Sequence, residues 1–290
     1  ARAAQFTPAA TPTPTPLPTA AQPQPNLTAE EEALNRQAIE NFQSSMASVD
    51  SYIEMQVAIA EGVPETTLSF SSTVTLKDQD GNPLHTVSPE QSYSVRPQAN
   101  GIAFGSLQLP AAVVVEIPLD QVFRLGDRTY RGQLVLVTER GYLWAVNSVS
   151  MRQYLYSVVA SEVSPSWNVE ALKAQAVAAR SYALTFYFNP VNSLYHIGAT
   201  QRHQVYSGIG REDDRTSQAV DLTAGEFVSH EGGIVQSLYA ASDKIVAEVF
   251  RGQGMSQLGA LNLAEQGYSY EQILSNYYPG TALARIEESY

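Results

Sequence analysis

Residues 154–184 read Y-L-Y-S-V-V-A-S-E-V-S-P-S-W-N-V-E-A-L-K-A-Q-A-V-A-A-R-S-Y-A-L. Asn168 is a good helix N-cap, because its side-chain oxygen can take a backbone N–H left free in the first turn. Val169, Leu172, Ala176, Ala179 and Ala183 then recur at helical spacing, which predicts an apolar stripe on a helix. The alanines leave room for a neighbouring element to come close. Lys173 and Arg180 are seven residues apart and so point in nearly one direction. That direction is the edge of the stripe, from which two cations can reach toward a groove bordered by the core. Glu162 stands before this helix, after an apolar run and beside Pro165 and Trp167. Partly apolar surroundings raise a carboxyl pKa, and a nearby cation lowers it again. That balance suits a group that gives and takes a proton near neutral pH. Spacing alone also allows plainer roles. A Glu near a helix start is most often a solvated acid favoured by the helix dipole, and an edge cation most often a snorkelling surface residue.

Moving toward the N-terminus, residues 51–147 are strand-like. Thr67–Lys77 is rich in β-formers, and Asp78-Gln79-Asp80-Gly81-Asn82 follows as a turn. The turn lacks the third oxygen ligand and the later Glu that an EF-hand loop needs, so a hairpin is expected there. Further strands are predicted over Val113–Ile117, Leu134–Thr138 and Tyr142–Val146, the last two flanking Glu139-Arg140-Gly141. Upstream, Thr28 and Glu31 form a capping-box start for a helix over 28–50. Residues 1–27 are rich in Pro, Thr and Ala and read as an extended spacer without a core. Toward the C-terminus, helix is expected to dominate from Ser150 to Phe188. Mixed strand and loop are expected to about Phe250, then short helices over Ser256–Gln266 and Tyr270–Tyr277. The sum is an α+β domain over 51–290, with a β-rich N-terminal part and a helix-containing C-terminal part forming a groove.

The 290-residue chain carries 17 Lys plus Arg against 29 Asp plus Glu, a net charge of −12. That balance repels phosphate backbones and makes nucleic acid an unsuitable partner. There are no cysteines, which excludes disulfides and thiolate chemistry. No apolar run approaches the roughly 20 residues needed to span a bilayer. Ala1-Arg2-Ala3 has the small-x-small form that precedes a signal cleavage site, so export is expected.

An ordered set of short motifs accompanies the helix: Y-R-G at Tyr130–Gly132, N-S-V at Asn147–Val149, and H-Q-V-Y-S-G at His203–Gly208. A-V-x-x-T-A-G at Ala219–Gly225, Y-A-A-S at Tyr239–Ser242, G-M-S-Q-L-G-A at Gly254–Ala260 and Y-Y-P-G-T at Tyr277–Thr281 complete it. Together with the helix stretch, these resemble the core of the SpoIID/LytB family over residues 130–290. The resemblance implies lytic transglycosylase action on peptidoglycan glycan strands. It implies Glu162 as the catalytic acid/base, with Lys173 and Arg180 as residues required for activity. One carboxylate then suffices: it protonates the leaving glycosidic oxygen and takes the proton of the muramic acid C6 hydroxyl, leaving a 1,6-anhydro end. Gln204, Tyr206, Ser242 and Gln257 fall in matching motifs and are expected to line the glycan groove. The alternative is a non-catalytic wall-binding module that enhances a cell-wall amidase.

Two departures from the family pattern stand out. Some relatives hold zinc through His and Cys just before Q-V-Y. Here His203 and Arg202 occupy those places, so no metal or other cofactor is expected. After Ser242 the chain runs almost directly into Phe250-Arg251-Gly252-Gln253-Gly254-Met255. A long segment of the pattern is thus absent, and Gln253 replaces its usual His. Other catalytic patterns fail. Gly254-Met255-Ser256-Gln257-Leu258-Gly259 is one residue too long for a nucleophile elbow, and His230-Glu231 lacks a second His at Ile234. Oligomeric state is not legible in the sequence.

Overall fold

The computed structural model describes residues 49–89 and 91–286. The spacer over 1–27 and most of the expected 28–50 helix lie outside the described residues; 49–51 are helical. Twelve strands follow: β1 (Glu54–Val63), β2 (Thr66–Phe70), β3 (Val74–Lys77), β4 (Pro83–Val87), β5 (Tyr93–Gln98), β6 (Gly101–Phe104), β7 (Leu107–Leu109), β8 (Ala112–Glu116), β9 (Val122–Leu125), β10 (Arg128–Arg131), β11 (Gln133–Glu139) and β12 (Tyr142–Ser150). One sheet has the order β1-β12-β11-β8-β3-β4, and β13 (Ile197–Gly198) joins its β1 edge in parallel. The second has the order β10-β9-β2-β5-β6-β7.

Side-chain alternation explains why the two sheets share a core. Val113 and Val115, Leu134 and Leu136, and Leu143 and Ala145 are buried on the first sheet. Leu68, Phe70, Val95, Phe104 and Phe123 are buried on the second and belong to the same apolar cluster. The three strands expected over 113–146 therefore form where periodicity places them. Thr67–Lys77 does not form one strand. It splits into β2 and β3, which belong to different sheets. Residues 71–73 make the corner, where the Ser71 hydroxyl donates to Val122 O and accepts from Val122 N. Asp78 closes the β3–β4 hairpin by accepting from the backbone N–H groups of Asp80 and Asn82.

The helices are α1 (Met151–Glu162), α2 (Val169–Phe188), α3 (Asp214–Leu222), α4 (Asp243–Phe250), α5 (Gln257–Glu265) and α6 (Tyr270–Tyr277). The α+β architecture is as expected. Ser150 caps α1 and Asn168 caps α2. Pro165 lies in the turn between them. Helices α3 and α4 stand where mixed strand and loop were expected. Each is short and starts on a side-chain cap, Asp213 and Ser242, and each buries few apolar residues, Ala219 and Val220 in α3 and Val246 in α4. Strands β14 (Glu226–His230), β15 (Gly233–Ile234) and β18 (Ala282–Arg285) form a small sheet. Strands β16 (Tyr239–Ala240) and β17 (Met255–Ser256) form a parallel pair.

The single-stripe reading of α2 is too narrow. From Ala171 to Leu184 every residue but Lys173 is buried. Leu172, Ala176, Ala179 and Ala183 face the main core, while Ala171, Ala174, Val177 and Ala178 face a second cluster with Met255, Ile273 and Leu274. A helix apolar all round is an interior helix, and α2 runs between the two clusters.

Two motif glycines are backbone devices. Gly132 has φ +86° and Gly208 has φ +74°. A Cβ at Gly208 would stand 2.1 Å from the carbonyl oxygen of Thr129, and one at Gly132 would stand 2.3 Å from that of Ser148. Gly208→Ala combines that clash with a left-handed backbone. It is expected to lower stability by roughly 2 kcal/mol or more, read as a fall in the denaturant midpoint. An unchanged midpoint would contradict the close approach.

Candidate functional site

Glu162 is the last residue of α1, and its side chain turns toward the His203–Gly208 loop. Its Oε1 accepts the Val205 N–H at 3.0 Å, and the Gln257 amide is near enough to help lower its pKa. Burial raises the pKa of Glu162, and these two groups oppose the rise without cancelling it. No second carboxylate and no cation is among the groups that shift it. Its charge is felt by the phenols of Tyr154, Tyr182 and Tyr239. Tyr182 and Tyr239 meet nearly edge-on at 6.4 Å. These two tyrosines were not singled out from the sequence, although Tyr239 opens the Y-A-A-S motif.

The loop that supplies Val205 N–H is fixed on every side. Gln204 is fully buried. Its amide donates to Ala179 O and to the Tyr239 hydroxyl, and its oxygen accepts from Tyr154. The buried Tyr206 hydroxyl donates to Asn147 Oδ1 at 2.7 Å. Asn147 in turn donates to Arg131 O and Gln133 O. The Ser157 hydroxyl donates to Gly208 O and accepts from Ser207 N. Tyr130 packs its ring on Tyr206 at 5.6 Å, and the motif residues Tyr130, Asn147, Gln204 and Tyr206 therefore hold the loop that faces Glu162. Gln204 and Tyr206 are corrected from groove wall to framework, because their polar atoms are already engaged inside the protein.

The expected pair of cations does not converge on Glu162. Arg180 is fully buried, because it lies on a helix enclosed by two apolar clusters. Its Nη2 meets Asp50 Oδ2 at 2.7 Å, and its remaining donors reach Val220 O, Glu226 O and Thr223 Oγ1. Lys173 pairs with Glu170 at 2.8 Å and lies 5.4 Å from the centre of the Tyr270 ring. It lines a separate surface cleft with Asn168, Glu170, Tyr268 and Tyr270. Arg180 is thus corrected from a groove residue to a buried one that organises α2, whereas Lys173 faces a cleft whose lining does not include Glu162. Ser242 accepts from Ile245 N as the cap of α4, which accounts for its hydroxyl. Of the six expected substrate-binding residues, only Gln257 stands near Glu162.

Residues 139–230 match the SpoIID family, described as stage II sporulation protein. The chain carries a domain of the SpoIID family. An uncharacterized protein of Brachyspira hyodysenteriae is 34% identical over 120 residues, covering 41% of this chain and 33% of its own length. The amidase enhancer of Bacillus subtilis is 35% identical over 89 residues, covering 31% of this chain and 12% of its own. An uncharacterized protein of Chlamydia muridarum is 27% identical over 215 residues, 72% of this chain and 69% of its own. The chain thus spans about a third and about an eighth of the first two relatives. These matches connect the SpoIID domain to cell-wall-related function.

Zinc does not fit this SpoIID domain at the place where some relatives are said to hold it. Arg202 is exposed, and His203 packs edge-on against Phe186 at 5.2 Å. Among the described residues no three His, Asp or Glu side chains come together, fewer than a tetrahedral site needs.

The raised pKa of Glu162 has a consequence for stability. A carboxyl whose folded pKa exceeds its unfolded value is destabilising when ionised. The penalty is absent below the unfolded pKa, grows as pH rises toward the folded pKa and is complete above it. Glu162→Gln is therefore expected to raise Tm near neutral pH and to lose that gain in acid. Thermal melts at a series of pH values check this, and a gain that grows toward low pH would show the opposite shift.

Proposed function

We propose that this SpoIID domain cleaves peptidoglycan glycan strands as a lytic transglycosylase, with Glu162 as acid and then base. The observation that carries this reading is one half-buried carboxyl with a raised pKa, held by a backbone N–H, without a second carboxylate acting on it. Hydrolytic glycosidases use two carboxyl groups, one of them to activate water or attack the sugar. An intramolecular transfer needs only one. Glu162 donates its proton to the leaving glycosidic oxygen as the C1–O bond breaks. It then accepts the proton of the muramic acid C6 hydroxyl as that oxygen bonds to C1. The 1,6-anhydro ring closes and no water enters. Burial raises the Glu162 pKa, which moves the group toward the range in which one carboxyl can serve as acid and then as base.

The deciding experiment is product mass after incubation of the chain with peptide-stripped glycan strands. Anhydro ends are expected, each lighter by one water than a hydrolysed end. Strands that stay intact under conditions where the chain binds them would refute the proposal.

A second reading is favoured by two observations: neither Lys173 nor Arg180 meets Glu162, and one relative is named an amidase enhancer. In it the domain binds glycan strands, does not cut them, and raises the turnover of a wall amidase. Added to such an amidase, the chain would then speed peptide release while leaving glycan length unchanged. Both readings put the protein outside the cytoplasm, at the wall.

A further inference from the structure

Arg128 and Arg202 are both exposed, and both line one cleft of about 500 Å³. Its walls come from β1 of the first sheet and from β2, β9 and β10 of the second, and the loop after β13 adds Thr200 and Arg202. The chain as a whole is acidic, so two guanidinium groups in one cleft are a local exception. Glu61 and Glu65 also line it, and hydroxyl groups already engage both acids. Glu65 accepts from Ser94 at 2.5 Å and Glu61 from Tyr195 at 3.4 Å. Among the described residues neither arginine stands within ion-pair distance of a carboxylate. Arg128 makes one long contact, from Nη1 to Tyr206 O at 3.5 Å.

The cleft joins the Glu162 site through one short loop. Val205 gives its N–H to Glu162, and the next residue, Tyr206, offers its carbonyl to Arg128. Arg202 stands three residues before Val205. An extended chain covers at most about 3.6 Å per residue, so their Cα atoms lie within about 11 Å. A glycan strand that presents one glycosidic bond to Glu162 would reach the cleft with a neighbouring sugar. In peptidoglycan every second sugar is a muramic acid. Its lactyl group ends in a carboxylate when no peptide is attached and in an amide when one is. A guanidinium fork meets a carboxylate with two parallel N–H donors, and it has no comparable hold on a neutral amide.

We propose that Arg128 and Arg202 form a subsite for the lactyl carboxylate of a peptide-free muramic acid, next to the Glu162 site. The assignment rests on the reading of the domain as a glycan-strand binder, and it holds whether or not the strand is cut.

The test is calorimetric binding of muramic acid-containing tetrasaccharides to the whole chain carrying Glu162→Gln, which serves as parent. One probe has free lactyl carboxylates, one has them converted to methylamides, and one bears stem peptides. The free-acid probe is expected to bind tightest. Adding Arg128→Gln or Arg202→Gln is expected to weaken its binding by about fivefold each, the upper worth of an exposed charge pair, and to leave the methylamide probe unchanged. If the parent binds acid and methylamide equally well, the subsite is overturned while the glycan reading stands. A peptide-bearing probe that binds as tightly as the free acid, and loses as much in the arginine variants, overturns it too, because the carboxylate would then be the peptide's. If no probe binds, the glycan reading fails and the subsite with it. Should Arg128→Gln not fold, the Nε–H signals of Arg128 and Arg202 in the parent decide by NMR. They are expected to shift with the free acid and not with the methylamide, and the absence of that difference overturns the proposal.

Discussion

Glu162→Gln is expected to stop release of anhydro ends, lowering the cleavage rate by about 10²–10⁴-fold, the usual worth of a positioned proton-transfer group. Strand binding should change little. Gln is close in size to Glu, and its side-chain oxygen can keep accepting the Val205 N–H that now meets Oε1. What it lacks is a proton to give and a basic oxygen to take one back. Burial raises the Glu162 pKa, which enlarges its protonated share at a given pH, and no second carboxylate is among the groups that shift it. Glu162→Asp is a useful companion. It keeps the acid but withdraws it from Val205 and Gln257, so it too should lose most activity, through distance rather than chemistry. Mass analysis of the products checks cleavage, and co-sedimentation with insoluble strands checks binding. A Glu162→Gln chain that still forms anhydro ends at the wild-type rate would remove Glu162 from the mechanism.

Much of this architecture is legible in the sequence, and the failures have a common cause. Period-two burial places β8, β11 and β12 where alternation puts them, and the cap Asn168 starts its helix as side-chain chemistry requires. Glu162 is legible as a carboxyl in partly apolar surroundings. The roles of Lys173 and Arg180 are not. Helical spacing tells which residues share a direction but not what lies in that direction. Alanines at 171, 174 and 178 are small enough to be read as neutral, yet they pack against α5 and α6 and close the second face of α2. Once that face is closed, α2 has apolar clusters on both sides, and Arg180 between them must find its partner inside. The partner, Asp50, is 130 positions away in sequence, and no local pattern connects the two. Gln204 and Tyr206 fail for a related reason. A motif marks residues that must be kept, and a buried hydrogen bond to Ala179 O or Asn147 requires this as firmly as a substrate does.

Arg180→Met is expected to destabilise the fold by about 3–5 kcal/mol, the cost of stranding one member of a buried ion pair. Asp50 and Arg180 are both fully buried, so removal of the guanidinium leaves an anion without a counterion or access to water. Asp50→Leu should cost a similar amount by stranding the cation. The double variant should recover much of the loss, since two apolar groups leave no charge behind. Arg180→Lys is not a rescue. Three guanidinium nitrogens reach Asp50, Val220 O, Glu226 O and Thr223 Oγ1, and a single ammonium cannot span that set. Denaturant unfolding of the four chains gives the cycle directly. The same cycle separates framework from catalysis. If Arg180 acts only through the fold, the Asp50→Leu/Arg180→Met chain regains cleavage along with stability. If stability returns and cleavage does not, the guanidinium has a further role that its buried position hides. Asp50 also lies outside residues 139–230 that match the SpoIID family. A piece cut to the matched residues would therefore carry Arg180 without its anion and without β1, the neighbour of β12. Such a piece is expected not to fold, and a cooperative melt from it would show that the ion pair is dispensable.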